Sequence, residues 1–322
     1  MQKRPHHDIG RVIATAWGPS NKRETFGDLL RYVTSLPPLI EQKWTDLYEG
    51  RQRQYGMFAK GFCAFRSKFW ISVFVLFFLF VPVGCGSGTT GNNSNAPTWQ
   101  YAALGDSLAA GALAQEGYVP RYAAYLNTDT GSNITTLNLG VPGWHSGDLL
   151  NALQNDPIVR NQVSGAEIVT WDIGGNDLAN AHDSFVQQTC GGTDNQDCLR
   201  TAVATFQTNW DAIVVELLKL RLPSKTILRT MDIYNPYVAA DTASGIFTTI
   251  EPYLDQANSH IQANAQANGI PVAAIHLAFN GAAGTQDPIA GGLIATDGFH
   301  PNDAGHKVIA DQLRTLAYAP LH

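Results

Sequence analysis

The sequence predicts an α/β protein built on a parallel sheet of about five strands, with helices covering both faces. Strand-like apolar runs alternate along the chain with segments whose apolar residues recur at helical spacing. The first three runs give way to Gly, Asp, Ser or Asn where a loop should begin. At 322 residues and 44% hydrophobic content, the chain can bury a sizeable core.

The elements follow in order. "GSGTTGNNSNAPT" (86–98) has no means of forming a core and reads as a flexible tether, so the folded domain is expected over 99–322. "WQYAAL" (99–104), "ITTLNL" (134–139), "EIVTWDI" (167–173), "KTILRTM" (225–231) and "PVAAIHL" (271–277) read as buried strands. Between the third and fourth, Val203, Phe206, Trp210, Ile213, Leu217 and Leu220 fall on one stripe of a helix. Leu254, Ala257, Ile261 and Ala265 form a second stripe, which Gly269 is suited to terminate. Val308, Ile309, Leu313 and Leu316 belong to a last helix.

Charge divides the chain. Up to Cys85 there are 12 Lys and Arg against 6 Asp and Glu, and beyond it 9 against 21. The acidic bulk lacks the basic surface that a nucleic-acid partner requires. The basic excess runs into "FWISVFVLFFLFVPVGCGSG" (69–88), preceded by Lys60, Arg66 and Lys68, which is the layout of an export signal. Its apolar core is shorter than the roughly 20 residues a spanning helix needs. Val83-Gly84-Cys85 resembles the lipobox of bacterial lipoproteins, with Pro82 where a Leu is usual. The resemblance implies a signal segment over 57–85, lipidation of Cys85, and tethering to the outer face of a bacterial membrane; secretion or a single-span anchor are the alternatives. Residues 1–56 read either as an over-extended start, with Met57 opening the signal, or as a short cytosolic segment. Cys190 and Cys198 lie in the polar, Gly-rich "TCGGTDNQDCLR", where a disulfide suits an exported protein and no further ligands stand at metal-binding spacing.

In parallel sheets, sites gather at the carboxyl ends of the strands. Those ends carry Gly105-Asp106-Ser107, then Gly140, then Gly174-Gly175-Asn176-Asp177, and "TDGFHPND" (296–303) adds Asp297 and His300 before the final helix. A serine hydroxyl is a poor nucleophile until a base takes its proton, and the base needs a partner to hold its tautomer. Ser107, His300 and Asp297 supply these types. The backbone N–H groups of Ser107 and Gly140 and the Asn176 amide are candidate donors to an oxyanion. The chemistry calls for no cofactor and no metal.

"GDSL" (105–108), Gly140 in "NLGVPG", "GGND" (174–177) and "DGFH" (297–300), in this order, resemble the four blocks of the SGNH or GDSL hydrolases. The resemblance covers nearly all of residues 99 to 319. It implies a flavodoxin-like three-layer α/β/α fold and ester hydrolysis through an acyl-serine, with Ser107 as nucleophile, His300 as base, Asp297 as its partner, and Ser107, Gly140 and Asn176 as oxyanion hole. Asp106 and Asp177 read as loop structure, and His306 as solvent-facing or a cap contact. Trp144 and His145 either line a pocket or belong to a surface loop, while 233–247 is a candidate substrate rim. The small, polar strand ends suggest short to medium acyl esters, and acetylated polysaccharide, lysophospholipid or thioester substrates are also compatible. Acyl transfer to envelope sugars and non-catalytic glycan or lipid binding are the competing readings.

Overall fold

The computed structural model describes residues 96–321. Within them one sheet contains β1 (Thr98–Gly105), β2 (Asn133–Gly140), β3 (Ile168–Trp171), β4 (Ile227–Met231) and β5 (Val272–Ala273), in the order β2-β1-β3-β4-β5. Every neighbouring pair is parallel, so all carboxyl ends share one rim. Parallel pairing demands crossover connections, and here they are helical. After β1 come α1 (Ser107–Ala110) and α2 (Tyr118–Thr130); after β2, α3 (Ser146–Asn155) and α4 (Pro157–Gly165). After β3 come α5 (Gly175–Val186) and α6 (Asp197–Leu220); after β4, α7 (Val238–Ala243) and α8 (Phe247–Ala267). The chain closes with α9 (Ile275–Asn280) and α10 (Asp303–Thr315).

Side chains alternate across a strand, so the inner strands feed two cores. Ala102 and Leu104 of β1 join Val169 and Trp171 of β3 on one face, against α3, α4, α6 and α8. There the Trp210 ring lies 6.1 Å from that of Trp171 and 5.6 Å from that of Phe206. Tyr101, Ala103 and Ile168 face the other way, against α2, α9 and α10, with Tyr101 edge-on to Tyr122. Each large side chain removed from water stabilises the fold by about 1.5–3 kcal/mol. The stripes read from sequence behave accordingly: Val203, Phe206, Trp210, Ile213 and Leu217 are buried along α6, and Leu254, Ala257, Ile261 and Ala265 along α8. The result is a three-layer α/β/α sandwich.

Two strands differ from the sequence reading. β2 was expected to be buried, yet it pairs with β1 alone and is mostly half-buried or exposed. With one neighbour it packs only lightly on either face, Ile134 against the second core and Leu139 against the first. The run 271–277 was expected to be one strand, but β5 is two residues long and Ile275 already begins α9. Asp232 Oδ1 accepts the His276 N–H at 2.8 Å and helps to turn the chain there. A short apolar run does not by itself distinguish a buried strand from a buried helix.

The readings made for residues 1–85, Cys85 included, lie outside the described residues. Among the described residues no helix is long and apolar enough to cross a membrane.

Candidate active site

The site begins where β1 ends. Gly105 has φ +142°, and a Cβ there would stand 2.4 Å from the backbone oxygen of Asp172, so only glycine fits. Asp106 then caps α1, its Oδ1 accepting the Leu108 N–H at 2.9 Å. Because the cap is Asp106, the hydroxyl of Ser107 is left for another partner. That partner is His300, whose Nε2 lies 2.8 Å from Ser107 Oγ.

His300 Nδ1 lies 2.5 Å from Asp297 Oδ2. The other Asp297 oxygen accepts the backbone N–H groups of Phe299 and His300, each at 3.1 Å. Partial burial works to raise the Asp297 pKa, but these three donors outweigh it and hold the carboxyl below its ordinary value. The turn is fixed from outside as well: Tyr234 OH donates to Phe299 O at 2.6 Å, and Asn302 caps α10. The Phe299 ring stands edge-on to His300 with centroids 5.0 Å apart.

The three candidate oxyanion donors lie on the same rim. Ser107 N opens α1 and by position has no acceptor within the helix. Gly140 is in register with Gly105, and a Cβ on it would collide with Ala109 and Ala110 at 2.5–2.8 Å, so α1 can settle on β2 only over a glycine. The Gly140 N–H donates to Asn138 Oδ1 at 3.0 Å. Asn176 Nδ2 donates to Trp144 O at 2.9 Å and stands 3.4 Å from Asp106 Oδ2. Both amides are therefore oriented by internal acceptors, which any bound oxyanion would share or displace.

Beneath Ser107 lies a layer of buried polar groups. Asp172 accepts the Asp106 N–H at 3.2 Å on one oxygen and the Tyr118 hydroxyl at 2.6 Å on the other. Burial, together with the neighbouring Asp106 carboxylate, pushes Asp172 well above the usual carboxylate range. Tyr118 in turn gives its backbone N–H to His306 Nδ1 at 3.2 Å. This corrects the reading of His306 as solvent-facing: it is fully buried, stacked on Tyr118, and burial drives its pKa down to about 4. The cap of α10 is Asn302, so the imidazole is free to serve the start of α2 instead. Asp177 accepts both the N–H and the hydroxyl of Ser146, at 2.9 and 2.6 Å, and ties α5 to the start of α3. Asp172 and Tyr118 escaped the sequence reading; the one available signal was a carboxylate between two apolar residues, Trp171 and Ile173, near the end of "EIVTWDI".

From Ser107 a cavity extends over the ends of β3 and β4, enclosing about 870 Å³ with the open space at its mouth included. Ile233 to Tyr237 form one wall, within the segment named as a candidate rim. Trp144 and His145 are not among its lining residues: the Trp144 ring packs on the first core, and His145 caps α3. The lining is chiefly hydrocarbon, so the small, polar strand ends do not represent the interior. His182 also lines it, stacked on Tyr237 with centroids 4.2 Å apart and bonded to Asp241 at 2.9 Å. Cys190 and Cys198 are joined by a disulfide beyond the far wall.

Comparison with known proteins agrees with this geometry. The GDSL-like Lipase/Acylhydrolase family matches residues 103–308. The spore germination lipase LipC of Bacillus licheniformis is 23% identical over 229 residues, covering 70% of this chain and 99% of that one. Among solved structures, the lipase Lip_vut3 from a goat rumen metagenome superposes with a TM-score of 0.59 at 22% identity, over 70% of this chain and all of its own. A variant of Axe2, an acetyl-xylooligosaccharide esterase of Geobacillus stearothermophilus, gives 0.51 at 19% identity, over 70% and 98%. With a family match over more than half its length and all four blocks on one rim, the chain belongs to the GDSL-like lipase/acylhydrolase family and is a carboxylic ester hydrolase.

Proposed function

We propose that the protein cleaves carboxylic esters through an acyl-serine intermediate on Ser107, with His300 as general base and Asp297 holding the His300 tautomer. The observation that carries this reading is the continuous run from Ser107 Oγ through His300 to Asp297, at 2.8 and 2.5 Å. As Ser107 Oγ attacks the ester carbonyl carbon, its proton passes to His300 Nε2 and the carbonyl electrons move onto oxygen. The resulting oxyanion is met by the N–H groups of Ser107 and Gly140 and by the Asn176 amide. Collapse breaks the bond to the alcohol oxygen, which receives the proton from His300. A water then gives its proton to His300 while attacking the acyl-serine, and release of the acid returns that proton to Ser107.

The reading extends to an exported enzyme tethered through a lipid on Cys85. Its supports are the lipobox-like Val83-Gly84-Cys85 and the Cys190–Cys198 disulfide, a bond that persists in oxidising compartments. The intact mass of the native protein tests it: a mature chain opening at an acylated Cys85 is expected, and an unmodified chain retaining upstream residues would overturn it.

Hydrolysis of a chromogenic ester series by the wild type, Ser107→Ala and His300→Ala tests the reaction. Activity in the wild type and its loss in both variants is the expected result. Undiminished turnover in Ser107→Ala would overturn the assignment. Transfer of the acyl group to added sugar hydroxyls in preference to water would change the acceptor and leave the nucleophile as assigned.

A further inference from the structure

The cavity that opens at Ser107 is deeper than an acetyl group requires, and its chemistry suits hydrocarbon. Leu178 and Ala179 of α5, Leu199 of α6, Ile250 and Leu254 of α8, and Ile233 line it. Most of the polar side chains that reach it are already engaged: Asp172 by Tyr118, Asp232 by the His276 N–H, Asn235 by Glu251, and His182 by Asp241. A sugar entering this space would surrender its hydration for few new partners, whereas an alkyl chain surrenders none. The lining from Leu178 to Leu254 offers an unbranched acyl chain hydrocarbon contact well beyond its carbonyl group.

Its walls are held firmly. Asn258 bonds both the N–H and the C=O of Ile233, each at 2.8 Å, and Asn280 does the same for Asn235. Leu199 and Ile250 line the cavity and form a separate apolar cluster with Ala181, Phe185 and Cys190, of which Ala181 and Phe185 lie turns further along α5 than Asn176, which stands beside the Ser107 turn. Leu199 directly follows Cys198, so the Cys190–Cys198 bond pins the first turn of α6, and Leu199 with it, to the chain leaving α5.

Resting on the acyl-serine reading, we propose that this cavity receives the acyl chain of an unbranched, medium-chain ester, and that the disulfide-clasped Leu199, with Ile250, is the stop that sets its length. The acyl carbon sits at Ser107 and the chain runs between α5 and the Ile233–Tyr237 wall until it meets Leu199.

The test compares kcat/KM for p-nitrophenyl esters from acetyl to palmitoyl in the full-length wild type, Leu199→Ala and Leu199→Trp. In the wild type, kcat/KM is expected to rise about fourfold per methylene up to a medium-chain maximum and then fall. Leu199→Ala moves the maximum to longer chains, and Leu199→Trp lowers the decanoyl-to-acetyl ratio by about tenfold or more. A ratio unchanged in both variants overturns the proposal. Absence of ester hydrolysis in the folded wild type would instead count against the acyl-serine reading. Should the variants misfold, the wild type decides: an alkyl fluorophosphonate bearing a terminal diazirine, bound at Ser107 and irradiated, is expected to crosslink the peptides holding Leu199 or Ile250. Crosslinks confined to 141–150 would overturn the length stop.

Discussion

Ser107 has two aspartate systems on opposite sides of it, and they work in opposite senses. On the solvent side, Asp297 is partly exposed, takes three hydrogen bonds and is held ionised, so it can stabilise a positive imidazole. On the inner side, Asp172 is buried beside Asp106, its pKa is driven upward, and its bonds go to the Tyr118 hydroxyl and the backbone of the Ser107 turn. The same residue type is a charge partner on one side and a buried brace on the other. What separates them is solvent access and the number of donors, not distance from the nucleophile.

Substitutions can break this contrast. The largest effect belongs to the proton-moving side: Ser107→Ala or His300→Ala should lower kcat by about a millionfold, read as loss of p-nitrophenol release. Asp297→Asn should cost roughly ten-thousandfold, since the amide neither stabilises the imidazolium nor fixes the tautomer. The same change at Asp172 is expected to lower stability by about 1–3 kcal/mol while sparing the proton-moving groups, because both of its oxygens accept hydrogen bonds and an amide leaves one buried donor facing an NH2 group. Urea titrations of the two variants, set beside their kcat/KM values, would expose any exchange of these roles.

The brace also has a pH signature. His306 titrates near 6.5 when unfolded and at about 4 when folded, so its contribution to stability is fully present above pH 6.5 and is lost as pH falls toward 4. The loss amounts to about 3 kcal/mol. It is expected to be absent in His306→Gln, when unfolding free energies of the two proteins are compared between pH 7 and 4. Smallest is Tyr118→Phe, which removes one buried hydrogen bond to Asp172 and should lower stability by about 1–2 kcal/mol, visible as a reduced Tm, while the variant keeps its ester hydrolysis.

The solvent side of this contrast was legible in the sequence and the inner side was not. Ser107, Gly140 and Asn176 could be placed on one rim because strand ends in a parallel sheet share a side, and Asp297 and His300 because a two-residue gap closes within a single turn. Asp172 and Tyr118 lie 54 residues apart, and nothing local marks either as the other's partner. His306 looked like one more polar residue on an amphipathic helix; its burial follows from where α2 starts, which is a tertiary fact. The helix stripes of α6 and α8 were readable because 3.6-residue periodicity is written in the side chains. β5 was over-read because apolar content alone is shared by short strands and buried helices. The depth of the cavity arises from α5, α6, α8 and the Ile233–Tyr237 segment meeting around Ser107, and no single stretch encodes it.

The most direct measurement is to label the purified protein with a fluorophosphonate and map the modified peptide by mass spectrometry. One equivalent of label on Ser107, abolished in His300→Ala and blocked by prior incubation with a slowly hydrolysed ester, is the expected result. Modification at any other residue, or labelling of Ser107→Ala at the wild-type rate, would contradict the assignment of Ser107 as the nucleophile.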